Sequence, residues 1–84
     1  MKLIWSEKSW DEYLSWQSTD KKVLKKINNL LKDVKREPFK GIGKPEPLKY
    51  ELAGCWSRRI SDEHRLVYMV EDDAISIVSC KYHY

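Results

Sequence analysis

Eighty-four residues suffice for one packed core and exclude a second. Apolar residues make up 42% and charged residues 35%, with four Trp and five Tyr, which excludes a disordered tail. No stretch approaches the ~20 apolar residues of a membrane span, and the short apolar run Leu3-Ile4-Trp5 before Ser6-Glu7-Lys8 makes no secretory signal. The net charge of +3 conceals an asymmetry. Residues 1–20 carry two Lys/Arg against four Asp/Glu, residues 21–59 twelve against four, and residues 60–84 two against five. A basic middle segment of net +8 favours a polyanionic partner, although a Lys-rich helix also serves as an ordinary solvated face.

Lys2-Leu3-Ile4-Trp5 is a short strand candidate. Ser6 follows as an N-cap, with Glu7 near the positive end of a helix over residues 7–17. Trp10, Tyr13, Leu14 and Gln17 share helical spacing, a stripe better suited to packing on a sheet than to stacking on bases. Ser18-Thr19-Asp20 restarts the chain with capping chemistry. Val23, Leu24, Ile27, Leu30, Leu31 and Val34 then recur at steps of three and four, an amphipathic helix that must end near Glu37 before Pro38. Two glycines and three prolines between Pro38 and Pro47 predict an ordered loop inside one domain. Gly41-x-Gly43-Lys44 lacks the spacing and context of a nucleotide-binding loop.

The remainder predicts a meander: Leu48–Leu52, Cys55–Ile60, Arg65–Val70 and Ala74–Tyr82, separated by short polar or glycine turns. The expected architecture is α+β, in the order β-α-α-β-β-β-β, with two N-terminal helices packed on an antiparallel sheet across a single domain, residues 1–84. Cys55 and Cys80 sit apart in apolar runs and read as reduced core residues of a cytoplasmic protein.

Few residues offer chemistry. Glu46 stands between Pro45 and Pro47, a carboxylate on a stiffened loop near Lys44 and Lys49. It suits a general base and equally a solvated loop glutamate. Arg65 opens an apolar strand, where a charge needs either an acidic partner or a phosphate. Arg58 and Arg59 alternate on their strand, so at most one shares a face with Arg65. His83, one residue from the end, suits a general acid, although termini fray. Tyr84 follows it. His64, beside Asp62 and Glu63, is assigned to the surface. No Asp/Glu pair or His/Cys cluster has ligand spacing, so neither a metal nor another cofactor is expected.

The chain resembles the YoeB-type toxins, members of the RelE superfamily of messenger-RNA interferases. The likeness spans essentially all 84 residues. It is carried by Lys2-Leu3-Ile4-Trp5-Ser6-Glu7, Gly43-Lys44-Pro45-Glu46-Pro47-Leu48-Lys49, Trp56-Ser57-Arg58-Arg59-Ile60, Glu63-His64-Arg65-Leu66-Val67-Tyr68 and Tyr82-His83-Tyr84. The resemblance implies a microbial-ribonuclease-like fold and metal-independent cutting of mRNA in the ribosomal A site, leaving a 2′,3′-cyclic phosphate and a 5′-OH. It implies Glu46 as base, Arg65 on the scissile phosphate, His83 as acid and Tyr84 as a substrate-placing residue, with Lys49 and Arg59 in supporting basic positions. It further implies inhibition by a YefM-type antitoxin and a possible homodimer. The alternatives are a non-catalytic toxin of the ParE kind and a plain RNA-binding blocker of translation. The joint presence of Glu46, Arg65 and His83 weighs against both.

Overall fold

The computed structural model describes residues 1–82. Strand β1 (Lys2–Trp5) leads directly into α1 (Glu7–Thr19). Ser6 caps α1 in a reciprocal box, its Oγ accepting from the Ser9 N–H at 3.0 Å while the Ser9 Oγ accepts from the Ser6 N–H at 3.0 Å. Asp20 then closes α1 and opens α2 (Lys21–Arg36). Its backbone N–H donates to the Trp16 carbonyl, and its Oδ1 accepts from the N–H groups of Lys22 and Val23. One residue at the boundary therefore satisfies orphan groups of both helices. Ile27, Leu30, Leu31 and Val34 are the buried face of α2, and its cations lie outside.

Four further strands follow: β2 (Glu46–Pro47), β3 (Cys55–Arg59), β4 (Arg65–Glu71) and β5 (Ala74–Ser79). The sheet order is β1-β5-β4-β3-β2. Both helices cover one side, where Trp16, Ile27, Leu30 and Val34 meet Ile60, Leu66, Tyr68, Ile75 and Ile77.

Three expectations need correction. The sheet is mixed, because β1 pairs with β5 in parallel. The meander from β2 to β5 reverses direction at each step, and the last strand arrives beside β1 running the same way. The strand expected at Leu48–Leu52 lies earlier and is only two residues long. Pro47 has no N–H to extend the ladder, and Tyr50–Leu52 turns as a 3-10 helix. Finally, β5 stops at Ser79. Cys80 leaves the sheet, its N–H donating to Glu12 Oε1 and its carbonyl accepting from Trp16 Nε1.

Candidate active site

The face of the sheet opposite the helices gathers the charged candidates. Residues directly opposite on neighbouring strands share a face. Glu46 pairs with Ser57, Ser57 with Val67, and Arg59 with Arg65. Since Ser57 and Arg59 are two apart on β3, Glu46, Arg59 and Arg65 all project from that one face. Glu46 and Arg59 are exposed and Arg65 is half-buried. Lys49 is exposed just beyond β2, and residues 46–50 line an open groove of about 320 Å³.

Arg65 is held by the turn before it. Its Nη1 donates to the carbonyls of Ser61, Asp62 and His64, the last at 3.0 Å. The Arg65 backbone N–H donates to the Tyr82 carbonyl at 3.2 Å, which ties the end of the described chain to the first residue of β4. His83 and Tyr84 lie outside the described residues.

His64 is not the surface residue its acidic neighbours suggest. It is half-buried, with its ring edge-on to Trp16 at 4.8 Å and tilted against Tyr82 at 5.5 Å. Its Nδ1 accepts a 2.7 Å hydrogen bond from the Tyr82 N–H. Lys81 adds its ammonium over the Trp16 ring at 5.3 Å. Segment 80–82 is thus pinned to α1 and to the β3–β4 turn.

Arg58 alternates onto the helix side, as strand geometry requires, and is completely buried. Its guanidinium pairs with Asp33 Oδ2 and donates to the carbonyls of Glu37, Lys40 and Ile42 at 2.7, 2.9 and 3.1 Å. Its Nε donates to the Tyr68 hydroxyl, which donates in turn to the Pro38 carbonyl at 2.7 Å. Asp33 also accepts from Arg36 and from the Ile42 N–H. These bonds hold its carboxyl well below the usual carboxylate range, Arg36 contributing most, then Ile42, then Arg58. One cation therefore organises the loop from Glu37 to Gly43, and Gly43 passes its carbonyl to the Arg59 N–H at 2.7 Å. This brace delivers the chain to Glu46. It was not foreseen from sequence, yet a signal was present: alternation places Arg58 between Trp56 and Ile60 on the inward row, where a lone cation requires an anion.

Cys55 and Cys80 are free and buried, and burial pushes the Cys80 thiol up to about 12. Among the described residues, no group of three or more His, Cys, Asp or Glu is placed to hold a metal ion. No helix among them is long and apolar enough to cross a membrane.

Residues 5–84 match the family described as YoeB-like toxin of bacterial type II toxin-antitoxin system. The chain belongs to that family. It is 67% identical over 84 residues to Toxin YoeB of Escherichia coli strain K12, covering all of both chains. The solved YoeB/ParE toxin from Agrobacterium tumefaciens superposes with a TM-score of 0.97 at 51% identity, again over the full length of both. The YoeB-YefM complex from Staphylococcus aureus gives 0.92 at 50% identity, covering 100% of this chain and 98% of that one. A YoeB dimer from the same organism matches at 0.92 and 52%, with the same coverage. The likeness to YoeB-type toxins expected from sequence thus extends over the whole chain.

Proposed function

We propose that this toxin is a ribosome-dependent endoribonuclease that cuts mRNA in the A site by metal-independent acid–base chemistry. The observation that carries the reading is the shared register of Glu46, Arg59 and Arg65 on the sheet face opposite the helices. A carboxylate beside two guanidinium groups suits a reaction that removes a proton and gathers negative charge on phosphorus. Glu46 takes the proton of the ribose 2′-OH, whose oxygen attacks the adjacent phosphorus. Arg65, its Nη1 committed to the turn, offers its remaining donors to the phosphate, and Arg59 and Lys49 support the strand electrostatically. The bond from phosphorus to the 5′ oxygen breaks, and His83 protonates that leaving oxygen. Tyr84 helps to place the substrate. The products are a 2′,3′-cyclic phosphate and a 5′-OH.

The partners follow from the relatives. A Staphylococcus aureus relative at 50% identity was solved as a YoeB-YefM complex, and one at 52% as a dimer. A YefM-type antitoxin is accordingly the expected inhibitor here, with self-association as a second expected contact.

The test is to map 5′ ends of mRNA after brief induction and to repeat it with Glu46→Ala, Arg65→Ala and His83→Ala. Each substitution should lower cleavage on ribosomes at least ~100-fold while the protein stays folded. Growth arrest without new 5′ ends would instead support a toxin that poisons by binding. Products bearing a 5′-phosphate would point to metal-activated water and overturn the mechanism.

A further inference from the structure

Tyr50 is the most exposed large hydrophobic side chain among the described residues, at 92%. It is also one of three non-glycine residues among them with positive φ, at 59°. A left-handed tyrosine costs about 1–2 kcal/mol unless something in the fold or function offsets it. The backbone around it is ordered. Leu48 N–H donates to the Cys55 carbonyl, Leu52 N–H to Lys49, and Ala53 N–H to Tyr50, at 2.9, 3.2 and 3.0 Å. The ring itself makes no use of that order for packing, since it is almost wholly in solvent. Its place is specific, because it lines the same groove as Glu46, Pro47, Leu48 and Lys49. That groove, about 320 Å³, is at the small end of the range that holds ligands, roughly 300–1,000 Å³.

We propose that Tyr50 is a stacking platform for one unpaired base of the RNA strand whose backbone passes Glu46. Every base offers a flat π face, so an exposed ring on a rigid turn recognises single-stranded RNA without reading its sequence. Lys49 beside it supplies the cation for the neighbouring phosphate, and the rigid turn avoids the entropy of ordering the ring on binding. The fold holds a costly conformation that presents the ring next to the candidate base while leaving it unpacked.

This inference rests on the ribonuclease reading, and the experiment separates the two. Single-turnover cleavage of mRNA on programmed ribosomes is measured for Tyr50→Ala, Tyr50→Gly, Tyr50→Phe and Glu46→Ala, with thermal melting of each. Tyr50→Ala and Tyr50→Gly should raise the concentration for half-maximal rate about tenfold or more. Tyr50→Phe, which keeps the ring, should stay within about twofold. Tyr50→Gly should melt no lower than the parent, since glycine accepts this φ freely. If Glu46→Ala is inactive while Tyr50→Ala matches the parent, stacking is wrong and the ribonuclease reading stands. If Tyr50→Phe fails as badly as Tyr50→Ala, the hydroxyl and not the ring face makes the contact, which also overturns the proposal. If Glu46→Ala cleaves normally, the ribonuclease reading itself falls at this groove.

Discussion

One segment leads into Glu46 and the other precedes His83, and the two are held by different kinds of chemistry. The loop from Glu37 to Gly43 is fastened by a fully buried guanidinium that reads three carbonyls and an aspartate. The segment from Cys80 to Tyr82 is fastened by single bonds to three separate groups: the Trp16 indole, the Glu12 carboxylate and the His64 ring. The first kind cannot lose its guanidinium cheaply, because one change deprives three carbonyls and a carboxylate of a donor at once. The second spreads its load over three separate groups, of which only the His64–Tyr82 bond is exposed. The loop end is therefore part of what makes the domain fold. The tail can loosen at Tyr82 while Cys80 stays in the core.

The largest effect should come from breaking the brace. Arg58→Met fills similar space but leaves Asp33 and the carbonyls of Glu37, Lys40 and Ile42 without their donor. A loss of about 3–5 kcal/mol is expected, comparable to the whole stability of a domain this small, about 5 kcal/mol. Urea denaturation at neutral pH should find the variant largely unfolded or close to it. A midpoint near the parent's would show that water replaces the guanidinium, and the contrast between the two ends would collapse.

Gly41→Ala attacks the same brace from the loop. Gly41 has φ of 129°, and an added Cβ would overlap the Oδ2 of Asp33 and stand 3.2 Å from Arg58 Nη1. Backbone strain and the displaced carboxylate together should cost about 2–3 kcal/mol. Thermal melting measures it. A stability equal to the parent's would mean that the loop can pull away from Asp33 freely.

The same contrast explains what was legible in the sequence. Both helices were readable because their signals are local: Ser6 and Asp20 as caps, the apolar steps of α2, and Pro38 as a stop. The alternation of β3 correctly separated Arg58 from Arg59, and the sheet register puts Arg59 with Arg65. The brace was not readable, since Asp33, Arg58 and Tyr68 are 25 and 10 residues apart and meet only when α2 lies across the sheet. The short β2 was misplaced because Leu48-Lys49-Tyr50-Glu51-Leu52 has strand composition. Pro47 and the left-handed Tyr50 override it. The parallel β1–β5 pairing depends on the direction in which the meander ends, which no local pattern encodes. His64 looked solvated beside two acids, and only the folded tail shows what its ring holds.

Acid should act on the loop end first. Asp33 titrates far below its ordinary value of 3.8, with Arg36 the foremost cause. The unfolded chain therefore takes up this proton before the folded one does. The stabilisation is complete above about pH 5 and is lost as pH falls through 3.8 toward the lowered folded value. Asp33→Asn should be less stable than the parent at neutral pH, because Arg58 loses its counter-charge. The gap should narrow as pH falls below about 4. Denaturant midpoints from ~pH 7 to ~pH 2.5 give both curves. Parallel curves would mean that the depressed carboxylate contributes nothing particular to the acid limb.

The smallest effect on stability belongs to the tail end. His64→Phe keeps a ring against Trp16 and Tyr82 but removes the acceptor for the Tyr82 N–H. One hydrogen bond of this kind contributes about 1 kcal/mol, so melting should fall by about 4–8 °C for a domain of this size. Tyr82 sits in the left-handed region at φ of 64° and is 60% exposed, and its remaining backbone tie is the Arg65 N–H bond to its carbonyl. Amide exchange at Tyr82 should accelerate several-fold, while the amides of Leu66 and Tyr68 in β4 change only with global stability. If the proposed role of His83 is right, cleavage should fall further than stability does, because the residue preceding the acid has lost its anchor. Unchanged exchange at Tyr82 would show that Glu12 and Trp16 hold the segment at Cys80 by themselves. The two ends would then differ in degree of burial alone and not in how freely they can move.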